Sequence, residues 1–277
     1  MRSIKLFLTA AGLMVGIIAI GQPMKKKTKG FWSKSHMTIG PGFANYYGDL
    51  TENFHIFNQS GYSVSVGLNY RIIPHLNARA DVSFMKIGAK DSKSSRKDLQ
   101  ARNLSFKSFI WDASLAVEYD VFNLDNYKVT PYIFAGFGVF YFNPYTKDVN
   151  GYKQYLQYLG TEGQGLAIYP ERKFYKRVEF EVPIGGGLKW AVSKKVNLAI
   201  EYKFRHTNTD YIDDVSRSGY PNKTALDARN PRTATLTWRG GEVGSGPYPP
   251  ANTQLNRGNP KKNDVFYTTQ LKVMIHL

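Results

Sequence analysis

Long stretches of this chain alternate apolar and polar side chains, and a period of two is compatible only with strands whose two faces meet different surroundings. From Tyr62 the apolar set is Tyr62, Val64, Val66, Leu68 and Tyr70, interleaved with Ser63, Ser65, Gly67, Asn69 and Arg71. The pattern returns at Leu76 to Phe84, Phe109 to Tyr119, Val178 to Trp190, Val196 to Phe204 and Val265 to Leu277. Met37, Ile39 and Phe43 mark a first segment, and the aromatic run Tyr132 to Phe142 a fifth, apolar on both faces so that its facing stays undecided. About eight strands result, an even number and the smallest that closes into a bacterial outer-membrane barrel.

Aromatic residues make up 14% of the 277 residues, yet the mean hydropathy is −0.38. Barrels that cross a membrane have this mixture, because lipid-facing and lumen-facing residues alternate and cancel. Past the N-terminus no apolar run is long enough for a helix to cross, so any span is made of strands. Tyr62, Tyr70, Trp111, Tyr119, Trp190 and Tyr202 fall near strand ends, where interfacial girdles sit. A soluble sandwich or lipocalin-like barrel also alternates, but has no use for that placement. The predicted fold is therefore an all-β, antiparallel, up-and-down transmembrane barrel.

The chain opens with Arg2 and Lys5, an apolar run from Leu6 to Ile20, then Gly21 and Gln22. This reads as a signal peptide over residues 1–21, followed by a basic periplasmic tail over 22–35 and the barrel over 36–277. There is no cysteine, which excludes disulfides, thiolate metal sites and a cysteine nucleophile. The formal net charge of +16 suits nucleic acid in a cytosolic protein; in an exported one it faces anionic lipid or acidic partners, or is carried by solvated basic loops. No nucleic-acid partner is expected.

Connections alternate in length. Those at 72–75, 119–128 and 193–195 are short, and those at 44–60, 87–103, 143–177 and 207–263 are long, which puts short turns and both termini in the periplasm and long loops outside. If the apolar face meets lipid, Arg71, Arg79, Asp81, Asp112, Glu118, Glu179, Glu181, Lys189, Glu201, Lys203 and Arg205 point into the lumen. Eight strands leave room only for side chains, so these charges should pair and plug it, and a diffusion pore is not expected. Strand glycines Gly136, Gly138, Gly185, Gly186 and Gly187 make room for large neighbours or bend the sheet.

The one catalytic-looking group is His206 with Asp210, Asp213 and Asp214, reminiscent of omptin proteases. A histidine beside carboxylates can activate water, but omptins use a wider barrel and draw the histidine and aspartate pair from different strands. Adjacent loop aspartates read more simply as a solvated turn or a cation contact. No catalytic, cofactor-binding or metal residue is assigned, and no cofactor is expected.

Several stretches carry a resemblance: Asn45 to Leu50 (NYYGDL), Pro131 to Phe140 (PYIFAGFGVF), Leu159 to Leu166 (LGTEGQGL), Thr209 to Ser216 (TDYIDDVS) and Arg257 to Pro260 (RGNP). In order and spacing they resemble the PorG family, an outer-membrane barrel component of the type IX secretion system of Bacteroidetes. Departures are Lys261 to Phe266, where the family tends to have Trp after Asp, and a Gly/Pro-rich insertion from Thr235 to Thr253. The resemblance implies a non-enzymatic barrel that associates with the periplasmic ring of that machine, formed by a lipoprotein and its periplasmic partner, and ties it to the outer membrane. The alternative is a small outer-membrane barrel that binds lipid, lipopolysaccharide or a surface ligand through its loops.

The motif-loop residues to watch are Gly48, Asp49, Gly160, Thr161, Glu162, Gly163, Gln164, Gly165, Asp210, Tyr211, Asp213 and Asp214. Gly48 and Gly165 are expected to allow unusual backbone angles. The acids contact a partner or one another. Lys25, Lys26, Lys27 and Lys29 of the tail either dock on an acidic partner surface or belong to a solvated leader.

Overall fold

Each alternating run becomes a strand. The computed structural model describes residues 31–51, 57–217, 219–251 and 257–277; the signal-peptide segment and tail lysines Lys25, Lys26, Lys27 and Lys29 lie outside them. Eight long strands build the wall: β1 (Ser35–Tyr47), β2 (Gly61–Ile73), β3 (Leu76–Lys90), β4 (Ser105–Asp120), β5 (Val129–Tyr141), β8 (Val178–Ala191), β9 (Val196–Thr207) and β10 (Val265–His276). All neighbours are antiparallel, in the order β3-β2-β1-β10-β9-β8-β5-β4, and pairing of β3 with β4 closes the barrel. Closure removes every long edge, which a sheet in lipid requires. A small hairpin, β6 (Tyr145–Lys147) and β7 (Lys153–Tyr155), adds to the loop end of β4.

Among the described residues no helix is long and apolar enough to cross a membrane. Four short α-helices among the described residues decorate the long loops: α1 (Lys97–Arg102), α2 (Leu156–Leu159), α3 (Lys223–Arg229) and α4 (Pro231–Thr237). Asn222 caps α3 by accepting from the Ala225 amide at 3.0 Å. Asn230 caps α4 by accepting from the Arg232 amide at 3.0 Å, with Pro231 in the first turn, where its missing N–H costs nothing.

The facing follows the alternation. Val64, Val66, Leu115, Val117, Ile184, Ile200 and Leu271 are exposed on the outside, while Ser63, Ser65, Asn77, Asp81, Glu118, Lys189 and Glu201 are buried inside. Registers align Phe43 with Tyr62, Phe84 with Trp111, Trp111 with Tyr141 and Phe204 with Tyr267, so an aromatic girdle runs round the outside toward the long loops. Tyr70, Tyr119 and Trp190 mark a second row toward the short turns. On β4 about eight residue steps separate Trp111 from Tyr119, roughly 20 Å of wall at ~3.3 Å per residue and a ~40° tilt.

The structure settles the fifth strand. Tyr132, Phe134 and Phe140 point inward and are buried, whereas Ile133 and Phe137 are exposed outside. Two glycines of β8 accommodate them: a Cβ on Gly185 would come within 2.5 Å of the Phe134 ring, and one on Gly187 within 2.9 Å of the Tyr132 ring. The strands also run further toward the loops than the alternation suggests, β3 reaching Lys90, because Met85, Ile87 and Ala89 break the polar inner set and face a buried apolar layer.

Candidate functional site

Three layers fill the lumen. The layer nearest the short turns is ionic. Arg79 Nη1 donates to Glu118 at 2.9 Å and to Glu201 at 2.8 Å, and its Nη2 donates to Asp81 at 2.7 Å. Lys203 reaches Asp81 at 2.9 Å, Lys272 reaches Glu201 at 2.9 Å and Lys189 reaches Asp120 at 2.6 Å. The Tyr132 hydroxyl donates to Glu201 at 2.8 Å, and the Arg79 guanidinium lies 4.2 Å from the Phe134 ring centroid. Arg205 pairs with Asp112, with Glu181 at 3.7 Å. Two expected lumen residues stand at the rims instead: Glu179 is half-buried, and Arg71 pairs at 2.9 Å with Asp125 of a short turn.

Above the ions lies an apolar layer of Phe106, Ile110, Phe140, Phe142 and Phe266, continued by Met85, Leu50, Ile212 and Val215. Phe140 and Phe266 meet with centroids 5.2 Å apart, and Tyr46 meets Phe106 edge-on at 4.8 Å.

The third layer is a polar cap that brings together four of the quoted motifs and Asp264. The Tyr46 hydroxyl lies 2.6 Å from Asp213 Oδ2 and 2.7 Å from Asp264 Oδ1. A phenol has one hydrogen to donate, so one of these carboxyls carries a proton and donates to the phenolic oxygen. Asp264 also accepts from the Ile212 amide at 2.8 Å, and Asp213 from the Val215 amide at 2.8 Å. Glu162 accepts from the amides of Ser216 and Arg217, each at 2.9 Å, and from Arg257. Asp214, at φ +70°, accepts from Thr161 and, at 2.7 Å, from Tyr175. Asp49 accepts from the Asn259 amide at 2.9 Å. Gln164 accepts from the Glu162 amide at 2.9 Å, and Tyr211 stacks on Tyr175 with centroids 4.6 Å apart.

Electrostatics in the cap follow from burial among acids. Burial pushes Asp210 up to about 9, with Asp213 and Asp49 adding to it. Asp214 is pushed up to about 7 by burial, against the pull of Arg257. Asp213 and Asp264 are raised well above the usual carboxylate range, again first by burial and then by acidic neighbours, Asp264 for the one and Asp210 for the other.

The expectation of a solvated turn at Asp213 and Asp214 is corrected: each is 1% exposed, because loops closing the lumen must bury their polar groups against one another. Gly48 is corrected as well. Its φ is not among the positive ones, whereas Gly160, Gly163 and Gly165 have φ of +65°, +82° and +76°. Gly48 is needed for space, since a Cβ there would sit 2.0 Å from Asp264 Oδ1 and 2.1 Å from the Tyr46 hydroxyl.

The omptin-like grouping does not assemble. His206 is exposed on the outer wall against Phe204, at an outward-facing position of β9, while Asp210, Asp213 and Asp214 lie past the end of β9 at Thr207, where the loop buries them in the cap. Among the described residues no three His, Asp or Glu side chains are arranged to hold a metal ion. Sequence reasoning missed Tyr46, Tyr175 and Asp264 as site residues. Tyr46 lies within a quoted motif, so proximity to Asp49 was a usable signal; Tyr175 had none.

A family model described as an outer membrane protein beta-barrel domain matches residues 11–230. The chain belongs to that family. It is accordingly an integral outer-membrane barrel of eight antiparallel strands. No curated protein matches by sequence. Among solved structures, Neisserial surface protein A is 12% identical over 88% of this chain and 98% of that chain, with a TM-score of 0.45. OprG from Pseudomonas aeruginosa is 9% identical over 88% and 98%, at 0.38. The outer membrane enzyme PagL is 13% identical over 87% and 99%, at 0.33. Likenesses this distant say nothing of activity.

Proposed function

We propose that this family member is a non-enzymatic barrel of the type IX secretion machinery, which associates with the periplasmic ring of lipoprotein and partner and anchors it to the outer membrane. The observation that carries the reading is the convergence in the cap. Stretches at 45–50, 159–166, 209–216 and 257–260, which carry most of the resemblance to the PorG family, lie far apart in sequence yet share one buried hydrogen-bond cluster. They behave as parts of one folded unit, in which Asp49, Glu162, Asp213 and Asp214 are bonded to Tyr46, Thr161, Tyr175, Arg257 and backbone amides.

In this reading the long loops face outward, and the termini and short turns lie in the periplasm. The turn from Asp120 to Lys128 and the basic tail with Lys25, Lys26, Lys27 and Lys29 are then the surfaces offered to the ring. The filled lumen leaves anchoring, not conduction, as the use of the barrel. Affinity purification of a tagged chain from outer membranes in mild detergent should recover the lipoprotein ring; a clean barrel without it overturns the proposal.

A further inference from the structure

Just beyond the loop-side girdle the outer wall turns basic. In the β3–β4 register Lys86 lies opposite Phe109, Lys107 opposite Gly88 and Lys90 opposite Ser105. Lys107 is also paired with Tyr145 of the added hairpin, where Lys147 pairs with Lys153. Lys93 follows in the next turn and donates to the Asn58 carbonyl at 2.6 Å. Among the described residues none of these six lysines has a carboxylate within ion-pair distance, in contrast to the paired lysines of the lumen. Aromatic rings are their neighbours: Lys86 Nζ is 5.6 Å from the Phe109 centroid, and Lys153 Nζ is 3.9 Å from that of Tyr145 and 4.5 Å from that of Tyr155.

The register of β2 with β3 ends at Ser63 and Met85, and just past it the Gly61 backbone packs on the Lys86 carbonyl so closely that a Cβ would lie 1.7 Å from its oxygen. Above that point a groove of about 530 Å³ opens, with Phe43 and Tyr62 on one side and Lys86, Lys90, Lys93 and Lys107 on the other.

Depth identifies the occupant. Lys86 is two residues along from Phe84, and Lys107 four along from Trp111, so they stand roughly 5 and 10 Å past the girdle at ~3.3 Å per residue and a ~40° tilt. Headgroups occupy roughly the 5–8 Å beyond the hydrocarbon on each side of a bilayer. Lys86 stands within that layer and Lys107 just past it; lysines so clustered repel one another until an anion intervenes, and the Lys107 side chain is long enough to reach back along the wall to the interface. We propose that this groove and lysine wall bind the phosphate groups of an anionic lipid headgroup in the leaflet that meets the long-loop end, its acyl chains lying on Phe43, Tyr62, Phe84 and Trp111. The proposal does not depend on the secretion reading.

The test is native mass spectrometry of the purified full-length protein in uncharged detergent, titrated with diphosphoryl lipid A, with its dephosphorylated form, and with diphosphoryl lipid A plus millimolar inorganic phosphate. Retention of the phosphorylated lipid is expected, with about tenfold weaker retention of the dephosphorylated form and of the folded K86Q/K90Q/K107Q protein. K261Q/K262Q, on the loop rim away from the groove, should leave retention unchanged. Folding is verified by heat-modifiable gel migration, and K107Q alone substitutes if the triple variant fails that check, with a smaller loss expected. Equal retention by the folded variant or of the dephosphorylated lipid overturns the proposal. Full displacement by inorganic phosphate overturns the lipid assignment in favour of a free-phosphate site.

Discussion

The lumen and the cap both bury many carboxyls, and they solve the problem in opposite ways. In the lumen Asp81, Glu118, Asp120 and Glu201 face Arg79, Lys189, Lys203 and Lys272, so charge is met by charge. In the cap Asp49, Glu162, Asp210, Asp213, Asp214 and Asp264 have chiefly Arg257 and Arg102 nearby. There the excess is met by protonation and by donors: Tyr46, Tyr175, Thr161 and backbone amides. The difference teaches that a buried acid signals a charge partner only where the surrounding strands can deliver one. Strand alternation delivers lysines and arginines at fixed heights in the lumen, whereas loops bring mostly amides and hydroxyls.

The contrast breaks most severely in the lumen. Arg79→Ala would leave Asp81, Glu118 and Glu201 short of their shared cation, and removing one partner of a buried ion network costs about 3–5 kcal/mol. Urea unfolding of the reconstituted barrel, followed by tryptophan fluorescence, should show that loss.

The cap should respond to pH instead. Its raised carboxyls hold protons that an unfolded chain, with aspartates near about 3.9, has already released. The stability these carboxyls contribute is therefore fully present below about pH 4 and is lost as pH rises through about 7 for Asp214 and about 9 for Asp210, on the order of 4 kcal/mol between pH 6 and 8. Asp49, Glu162, Asp213 and Asp264 oppose deprotonation, while Arg257 and Arg102 favour it. Amide hydrogen exchange should find residues 209–216 and 257–264 better protected at pH 6 than at pH 8 after correction for intrinsic exchange. Protection that rises with pH contradicts the assignment.

The smallest effect sharpens the comparison further. Asp213→Asn keeps an acceptor for the Val215 amide and a polar contact for Tyr46, and it replaces a carboxyl whose charged form burial and Asp264 already disfavour, so the loss should be less than about 1 kcal/mol. Asp81→Asn removes a charge from between Arg79, Lys203 and Lys272 and should lose several times more. Equal losses in urea unfolding would show that the two regions do not differ as described.

Alternation by itself determined the wall. Val64 and Val66 against Ser63 and Ser65, or Ile200 against Glu201, specify facing because consecutive strand residues point to opposite sides. The same rule placed Arg79, Asp81 and Glu201 in a lumen too narrow for water-filled passage, so their pairing was legible from the residue pattern alone. The fifth strand was not legible, since Tyr132 and Ile133 are both apolar, and only Gly185 and Gly187 across the sheet decide which of them can turn inward. Nor was the cap, because Tyr46, Glu162, Asp213, Arg257 and Asp264 share no period. Loops have no repeating geometry to project from sequence. Only closure of the barrel brings their ends within hydrogen-bond reach, and only the resulting burial disfavours the charged form of the acids that meet on the Tyr46 phenol.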